Sequence, residues 1–148
     1  MITQLHAADR PRWTELWRAY LEFYKTALPD AVFAATWARI LDDTALHGLA
    51  AREGGRVDGR IVGITHFLFH GSAWTTTPVC YLQDLFVDEA ARGQGAARAL
   101  IDAVAARARA QASTRLYWLT QDNNAAARRL YDRLARYNGF IRYEYPLQ

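Results

Sequence analysis

The sequence predicts a mixed α/β (α+β) domain, and three observations lead to that prediction. The chain has 148 residues, of which 51% are hydrophobic and 22% charged, a balance typical of one globular domain. Apolar residues recur at helical spacing in some segments and form short β-branched and aromatic runs in others. These segments follow in the order β-α-α-β-β-β-α-β-α-β, with no repeat and no linker. We therefore expect a single domain over residues 1–148.

Each element follows from the spacing of apolar residues and from the turn residues beside it. Asp9 as an N-cap and Pro11 in the first turn predict the first helix, whose apolar stripe runs from Trp13 to Tyr24. Asp58-Gly59 predicts a tight primed turn between two strands. The predicted strands are residues 2–5, 49–52, 61–69, 79–87, 115–120 and 140–145, and the predicted helices are residues 9–24, one from about residue 29, 96–110 and 124–136.

Composition and charge exclude several classes of function. The net charge is only +3, from 18 basic and 15 acidic residues, which is too small to indicate a nucleic-acid-binding protein. A single cysteine, Cys80, excludes an internal disulfide, and four scattered histidines lack metal-binding spacing, so we expect no metal. No apolar run approaches the roughly 20 residues of a membrane span, and the N-terminus lacks a secretory signal. We therefore expect a cytoplasmic protein that binds neither membrane nor nucleic acid.

The segment from Arg92 to Arg98, between a predicted strand and a predicted helix, is the most informative motif. Its glycines allow close approach of a ligand, and the free N–H groups of a helix start suit a phosphate or pyrophosphate. Arg92 and Arg98 add cationic donors. The segment lacks the Lys and Ser or Thr of a P-loop, and it departs from the dinucleotide-binding glycine pattern at position 98. A tight loop that is merely shaped by Gly93 and Gly95 is the alternative that the residues leave open.

With this segment the sequence resembles the GCN5-related N-acetyltransferase (GNAT) superfamily. Arg92, Gly95 and Ala97 match its acyl-CoA loop, which has the form [RQ]-x-x-G-x-[GA]. Two further segments match in order: Tyr81 to Val87 resembles the fourth strand, and Asn124 to Tyr131 with Gly139-Phe140 resembles the next family motif. The resemblance implies a central mixed, mostly antiparallel sheet with a splayed pair of parallel strands, flanked by helices.

The resemblance also implies acetyl-CoA as a co-substrate. The strand with Leu85, Phe86 and Val87 would run beside the pantetheine arm, because it splays from the next strand and leaves an edge to which an extended ligand can bind. Asn124 would contact the cofactor, with a role as a mere N-cap as the alternative. The pyrophosphate would lie on Arg92, Gly93, Gln94, Gly95, Ala96, Ala97 and Arg98.

The implied reaction is direct transfer of an acetyl group to a primary amine of a small molecule or protein in a ternary complex. Tyr131, two helical turns after Asn124, would protonate the departing thiolate, although its ring could instead belong to the core. The N–H of Val87 is the candidate donor to the thioester oxygen. Asp84 is the candidate base, directly or through a water, but it could equally be structural or bind the amine. Gln83 stands where some family members have Glu, and Gln cannot act as a base.

The acceptor site is predicted from aromatic residues at the end of the first helix. Tyr20, Phe23 and Tyr24 are the candidates, because aromatic rings attract cations. The rest of that stripe, including Trp13 and Trp17, is typical of a core. His66 and His70 lie on one strand face and receive no role.

Two further expectations concern the C-terminal part and the class of protein. The stretch between Tyr131 and Gly139 is about one helical turn longer than in the family, which predicts a longer helix ended by Asn138-Gly139. This stretch could alter the acceptor rim or a contact in a homodimer. A noncatalytic acyl-CoA-binding regulatory module of the same fold is the alternative function.

Overall fold

The computed structural model describes residues 1–148, which divide into two compact units, residues 1–118 and 119–148. The predicted order of elements is confirmed up to the last helix. The first unit contains β1 (Ile2–Gln4), α1 (Arg10–Phe23), α2 (Asp30–Asp42), β2 (His47–Arg52), β3 (Ile61–His70), β4 (Val79–Val87), α3 (Ala96–Ala110) and β5 (Leu116–Tyr117), and the second unit contains α4 (Ala125–Leu134). That the whole chain is one domain stays a prediction.

One five-stranded sheet in the order β1-β2-β3-β4-β5 organises the first unit. Strands β1 to β4 are antiparallel to their neighbours, whereas β5 runs parallel to β4. This topology confirms the α/β class and the mixed, mostly antiparallel sheet with a parallel pair. None of the helices combines the length and the apolar character that crossing a membrane requires.

The parallel pair is short, and this leaves part of β4 without a neighbour on one edge. Cys80 lies opposite Leu116 and Tyr81 lies opposite Tyr117, and there the pairing of β4 with β5 stops. The strand predicted over residues 115–120 is formed only at Leu116–Tyr117, whereas β4 continues to Val87. The edge of β4 beyond Tyr81 therefore offers backbone groups that no strand covers.

Helices cover both faces of the sheet, as the alternation of β3 shows. Ile64 belongs to the buried cluster that Trp13 of α1 and Trp37 of α2 also form. Gly63 faces the other side, because a Cβ on it would lie 3.3 Å from the Leu100 side chain of α3. Successive residues of a strand point to opposite faces, so α1 and α2 lie on one face and α3 on the other.

The β2–β3 connection corrects the predicted primed turn. Asp58 and Gly59 do not have positive φ; Gly54 and Gly55 have it instead, with φ of 63° and 67°. Gly59 is required for another reason: a Cβ there would lie 2.3 Å from the carbonyl oxygen of Glu53. The loop is thus closed by close backbone approach rather than by a two-residue turn.

Asp9 also differs in part from its expected role. It precedes α1 as predicted, but its carboxylate does not cap that helix. The carboxylate accepts hydrogen bonds from the backbone N–H of His6 at 2.8 Å and from the guanidinium of Arg52 at 2.7 Å. Arg52 is buried in β2, so Asp9 supplies the charge that this buried cation needs.

The second unit departs most from the sequence predictions. α4 ends at Leu134, about two residues before the predicted end, because Ala135 is already extended, so the predicted helix stop at Asn138-Gly139 is wrong. Gly139 does have a positive φ of 83°, but in a non-helical stretch. The predicted strand over residues 140–145 is not formed. Alternation predicts a strand only when a partner backbone is present, and residues such as Tyr143 remain 86% exposed.

Candidate active site

The loop before α3 has the backbone that the sequence predicts for a phosphate-binding segment. Gly93 and Gly95 have φ of 77° and 84°, a conformation that favours glycine. A Cβ on either glycine would meet nothing within 4 Å, so the space beside the loop is open. Gly95 is the N-cap of α3, and the first helical N–H groups, from Ala96 to Arg98, have no helical carbonyl to bind. A tight loop accounts for the φ values, and the open space and the free donors leave room for a phosphate.

The two arginines of the loop differ in their surroundings. The Arg92 Nε donates to the carbonyl oxygen of Val87 at 3.2 Å, and its guanidinium carbon lies 5.8 Å from the Phe86 ring centroid. Arg98 lies in solvent, with its Nε 3.6 Å from an oxygen of Asp102. Arg92 therefore fixes the loop to the end of β4, and Arg98 is the more adaptable cation.

The open edge of β4 leads from this loop toward the acceptor candidates. Asp88 donates its N–H to Val62 on the β3 side, at 2.8 Å. Because backbone groups of a strand alternate between its two edges, the N–H and carbonyl of Val87 point to the open edge. The bond from Arg92 to that carbonyl agrees with this direction. The N–H of Val87, the candidate donor to the thioester oxygen, thus points to the open edge, as the backbone groups of Leu85 do, whereas those of Phe86 point to β3.

A β-bulge at Gln83 sets the direction of Asp84. His66 of β3 lies opposite Asp84, but the next residue, Phe67, lies opposite Leu82, so Gln83 is an extra residue without a partner. Gln83 is exposed. The Asp84 side chain is only 12% exposed and turns toward β3. The bulge interrupts the alternation of the strand at Gln83 and brings Asp84 opposite His66.

Asp84 lies against the buried His66 and the partly buried Tyr20. The Nδ1 of His66 lies 3.0 Å from its Oδ2. The phenol of Tyr20 lies near the same carboxylate, and burial together with the negative charge of Asp84 raises the pKa of Tyr20 far above its usual value. Tyr20 therefore stays protonated. The carboxylate lies beneath α1, and 12% of the Asp84 side chain is exposed to solvent.

The predicted acceptor residues form a continuous aromatic group on α1. The ring centroids of Tyr20 and Tyr24 are 5.0 Å apart, and those of Phe23 and Tyr24 are 5.1 Å apart. Tyr20 also contacts Phe86 of β4, at 6.4 Å, and this links the acceptor candidates to the open edge. Phe23 is more than half exposed, so it lies at the outer end of the group. The core assignment of Trp13 and Trp17 is confirmed, because both are buried.

Asn124 and Tyr131 lie in the second unit. Asn124 occupies the N-cap position of α4, but its side chain does not cap the helix. Its Nδ2 instead donates to the Thr120 hydroxyl at 3.2 Å. Tyr131 lies two helical turns further on and is partly buried, so it does not have the full burial of a core residue. Their proposed contacts with the cofactor remain predictions from the resemblance.

His66 is the site residue that the sequence analysis missed. It is 1% exposed and joins Trp13 of α1 to Asp84 of β4 through both ring nitrogens. A polar residue inside an apolar strand indicates that it needs a buried partner. The sequence does not reveal which partner, because the pairing with Asp84 depends on the bulge at Gln83.

Comparisons with known proteins agree with this architecture. Residues 11–135 match the model of the Acetyltransferase (GNAT) family. The chain is 35% identical over 136 residues to a D-amino-acid N-acetyltransferase of Saccharomyces cerevisiae (strain ATCC 204508 / S288c), an alignment that covers 91% of this chain and 83% of that protein. The open strand edge and the glycine loop thus belong to an acetyltransferase fold. The chain belongs to the acetyltransferase (GNAT) family, and it is an enzyme rather than a noncatalytic module.

Solved structures show the same fold. The ribosomal-protein-alanine N-acetyltransferase from Brucella melitensis biovar Abortus 2308 is 26% identical, with a TM-score of 0.77 over 99% of both chains. The structure of AAC(6')-Iy in complex with a bisubstrate analogue, CoA-S-monomethyl-acetylneamine, is 20% identical, with a TM-score of 0.83 over 100% of this chain and 97% of the other. The family resemblance stated from the sequence motifs is therefore confirmed.

Proposed function

We propose that the protein transfers the acetyl group of acetyl-CoA to a primary amine, directly within a ternary complex. The observation that carries this proposal is the arrangement along one open strand edge. The glycine loop with Arg92 lies at the end of β4, and the carboxylate of Asp84 lies three residues before that end, about 10 Å away along an extended strand. Acetyl-CoA lying along this edge would place its phosphates at the glycine loop, and the acceptor amine would bind at the Asp84 end.

The cofactor end supports the binding of a pyrophosphate. The N–H groups from Ala96 to Arg98 carry the partial positive charge of a helix start. The open space at Gly93 and Gly95 admits an anion close to the backbone. Between the two ends, the N–H of Val87 and the backbone groups of Leu85 point to the open edge, where an extended ligand can pair with them, whereas the Val87 carbonyl already accepts from Arg92. Coenzyme A has both an extended amide-bearing arm and a pyrophosphate, which fits this sequence of groups.

The acceptor end supports the binding of a cation. Asp84 supplies a carboxylate, and the rings of Tyr20 and Tyr24 lie beside it on α1. A protonated amine is attracted both by the negative charge and by the faces of the rings. The similarity to the yeast enzyme named for D-amino acids makes the α-amino group of a D-amino acid the first acceptor class to examine.

In the proposed reaction the ammonium group loses two protons: the first goes to Asp84, and the second, lost once the C–N bond has formed, passes through solvent to replace the proton that Tyr131 gives to the thiolate. The protonated amine loses a proton to Asp84, directly or through a water. Its nitrogen then forms the C–N bond while the C–S bond of the thioester breaks. The N–H of Val87 would donate to the thioester oxygen as its negative charge grows. Tyr131 would give its proton to the departing thiolate, as the family resemblance implies.

Release of the coenzyme A thiol tests the proposal. Acetyl-CoA is mixed with the protein and a panel of D-amino acids, their L-enantiomers, simple alkylamines and a peptide with an N-terminal alanine. We expect amine-dependent thiol release with at least one acceptor and acetylation of its nitrogen by mass spectrometry. Asp84→Asn should lower kcat/KM for that acceptor, whereas Asp58→Asn, in the β2–β3 loop, should not. Thiol release that no amine increases contradicts the proposal.

A further inference from the structure

His66 uses both of its ring nitrogens inside the sheet. Its Nε2 lies 2.9 Å from the indole nitrogen of Trp13, and its Nδ1 lies 3.0 Å from the Oδ2 of Asp84. His66 and Trp13 are fully enclosed, at 1% and 0% exposure. A buried chain of three side chains therefore runs from α1 through β3 to the carboxylate at the candidate acceptor site.

The hydrogen-bond chemistry of the chain assigns the position of the imidazole proton. An indole N–H can only donate, so the Nε2 of His66 must present its lone pair to Trp13. The proton of the neutral ring then lies on Nδ1 and is donated to Asp84. A second proton on Nε2 would place two donors 2.9 Å apart. The contact between His66 and Asp84 is thus a hydrogen bond from a neutral ring to a carboxylate, not an ion pair.

Apart from Asp84, the aromatic rings and strand partners around His66 carry no charge. The groups of α1 that face the ring are Trp13 and Trp17, with the Trp17 centroid 4.8 Å away in an edge-on arrangement. The residue opposite His66 on β2 is Gly48, which brings no charge. On β4 the residue opposite His66 is Asp84, whose carboxylate also lies near the phenol of Tyr20 on α1. The one anion near His66 is therefore the carboxylate that already accepts its Nδ1 proton.

We propose that His66 is a positioning residue, which Trp13 holds in the Nδ1–H form so that it orients the Asp84 carboxylate toward the ammonium group of the acceptor. This inference rests on the proposed acetyl transfer and deepens it. His66 does not relay protons, because accepting one would break its bond to Trp13. A proton taken up by Asp84 leaves instead through the small part of that side chain that solvent reaches.

Two conservative substitutions separate orientation from general support of the fold. The amide nitrogen of Asn occupies a place near Nδ1, so His66→Asn can still donate to Asp84 but no longer accepts from Trp13. The longer amide of Gln reaches the place of Nε2, so His66→Gln can accept from Trp13 but no longer donates to Asp84. Both variants lose one buried hydrogen bond, so a merely structural role predicts similar losses in both.

The expected result is a difference between the two variants in the Michaelis constant for the acceptor. A hydrogen bond to a charged group contributes enough that its loss changes an equilibrium about 10-fold or more. His66→Gln should raise the acceptor KM about 10-fold relative to His66→Asn, with the KM for acetyl-CoA and the melting temperature similar in both. Equal acceptor KM values in the two variants would overturn the positioning role.

A measurement on the unmodified protein makes the inference independent of turnover and of how well the variants fold. Long-range nitrogen–proton NMR of ¹⁵N-histidine-labelled protein at pH 8 reports which ring nitrogen of His66 carries the proton. We expect the Nδ1–H form, and the Nε2–H form would overturn the inference. An Nδ1–H ring in a protein that releases no thiol with any amine would contradict the proposed acetyl transfer while leaving the hydrogen-bonded chain intact.

Discussion

Replacing Gly95 by Val separates ligand binding from backbone strain in the glycine loop. Gly95 has a φ of 84°, where a β-branched residue is strongly disfavoured. The left-handed conformation costs a residue with a Cβ about 1–2 kcal/mol. One kcal/mol corresponds to about 2–4 °C in a domain of roughly 150 residues, so strain alone should lower the melting temperature by about 2–8 °C.

The effect on ligand binding is larger and has a different readout. At a concentration of about 100 times Kd, acetyl-CoA should stabilise the folded protein by about 2.7 kcal/mol, which corresponds to about 5–11 °C. The space beside Gly95 is open, with nothing within 4 Å of a Cβ position. The methyl groups of Val would occupy the space that a pyrophosphate needs. Gly95→Val should therefore lose the increase in melting temperature that acetyl-CoA gives to the unmodified protein.

Gly55 provides a matched control. It too has a positive φ, 67°, and an open Cβ position, but it lies in the β2–β3 loop. Gly55→Val should show a similar strain penalty and keep the full increase with acetyl-CoA in differential scanning fluorimetry. If Gly95→Val keeps that increase as well, the assignment of the phosphate loop is wrong. If both variants lose it, strain rather than the loop determines binding.

Three further predictions concern the acid, the charge at the end of β4 and the C-terminal segment. Tyr131→Phe should lower kcat by about 10²- to 10⁴-fold with little change in the KM for acetyl-CoA. Tyr137→Phe, at an exposed position of the same unit, is the control and should keep kcat. An unchanged kcat in Tyr131→Phe would exclude Tyr131 as the acid. The hydrogen bond from Arg12 lowers the pKa of Asp88 below its usual 3.8, so it contributes stability above about pH 4 that is lost as the pH falls further. Asp88→Asn should therefore lower the free energy of unfolding by about 1–3 kcal/mol at pH 7. Chemical denaturation should show this difference shrinking below pH 4. A difference that stays constant with pH contradicts the stabilising role of the Arg12–Asp88 pair. The homodimer that the sequence analysis leaves open stays a prediction, and we expect its apolar contact at the exposed side chains Ile141, Tyr143 and Tyr145. Their joint replacement by Ser should give a monomer in analytical ultracentrifugation, and an unchanged mass in a dimeric protein excludes them.

The sequence predicts most elements of this fold because the signals are local. The bounds of β4, Val79–Val87, follow from one apolar run between turn residues, and the start of α3 follows from the glycines before it. The strand expected over residues 140–145 fails because a strand needs a partner backbone far along the chain. Periodicity describes the side chains of such a segment, and it says nothing of whether a neighbour is present.

The candidate site shows the same division between local and distant information. The glycine loop can be predicted from the sequence because the residues that define it are consecutive. The role of His66 is not readable, since it depends on Trp13, 53 residues earlier, and on Asp84, 18 residues later. The bulge at Gln83 decides that pairing, and a single extra residue in a strand leaves no distinct mark in an apolar pattern.

Cys80, opposite Leu116 at the start of the parallel pair, determines how this protein can be handled chemically. It is the only cysteine, it has no exposed surface, and burial raises the pKa of its thiol to about 11. Thiol reagents react with thiolates, so we expect the folded protein not to react with them at neutral pH. Coenzyme A can then be titrated continuously without a protein background. A cysteine introduced on the surface would also accept a fluorescent or spin label selectively, with the native thiol left in place.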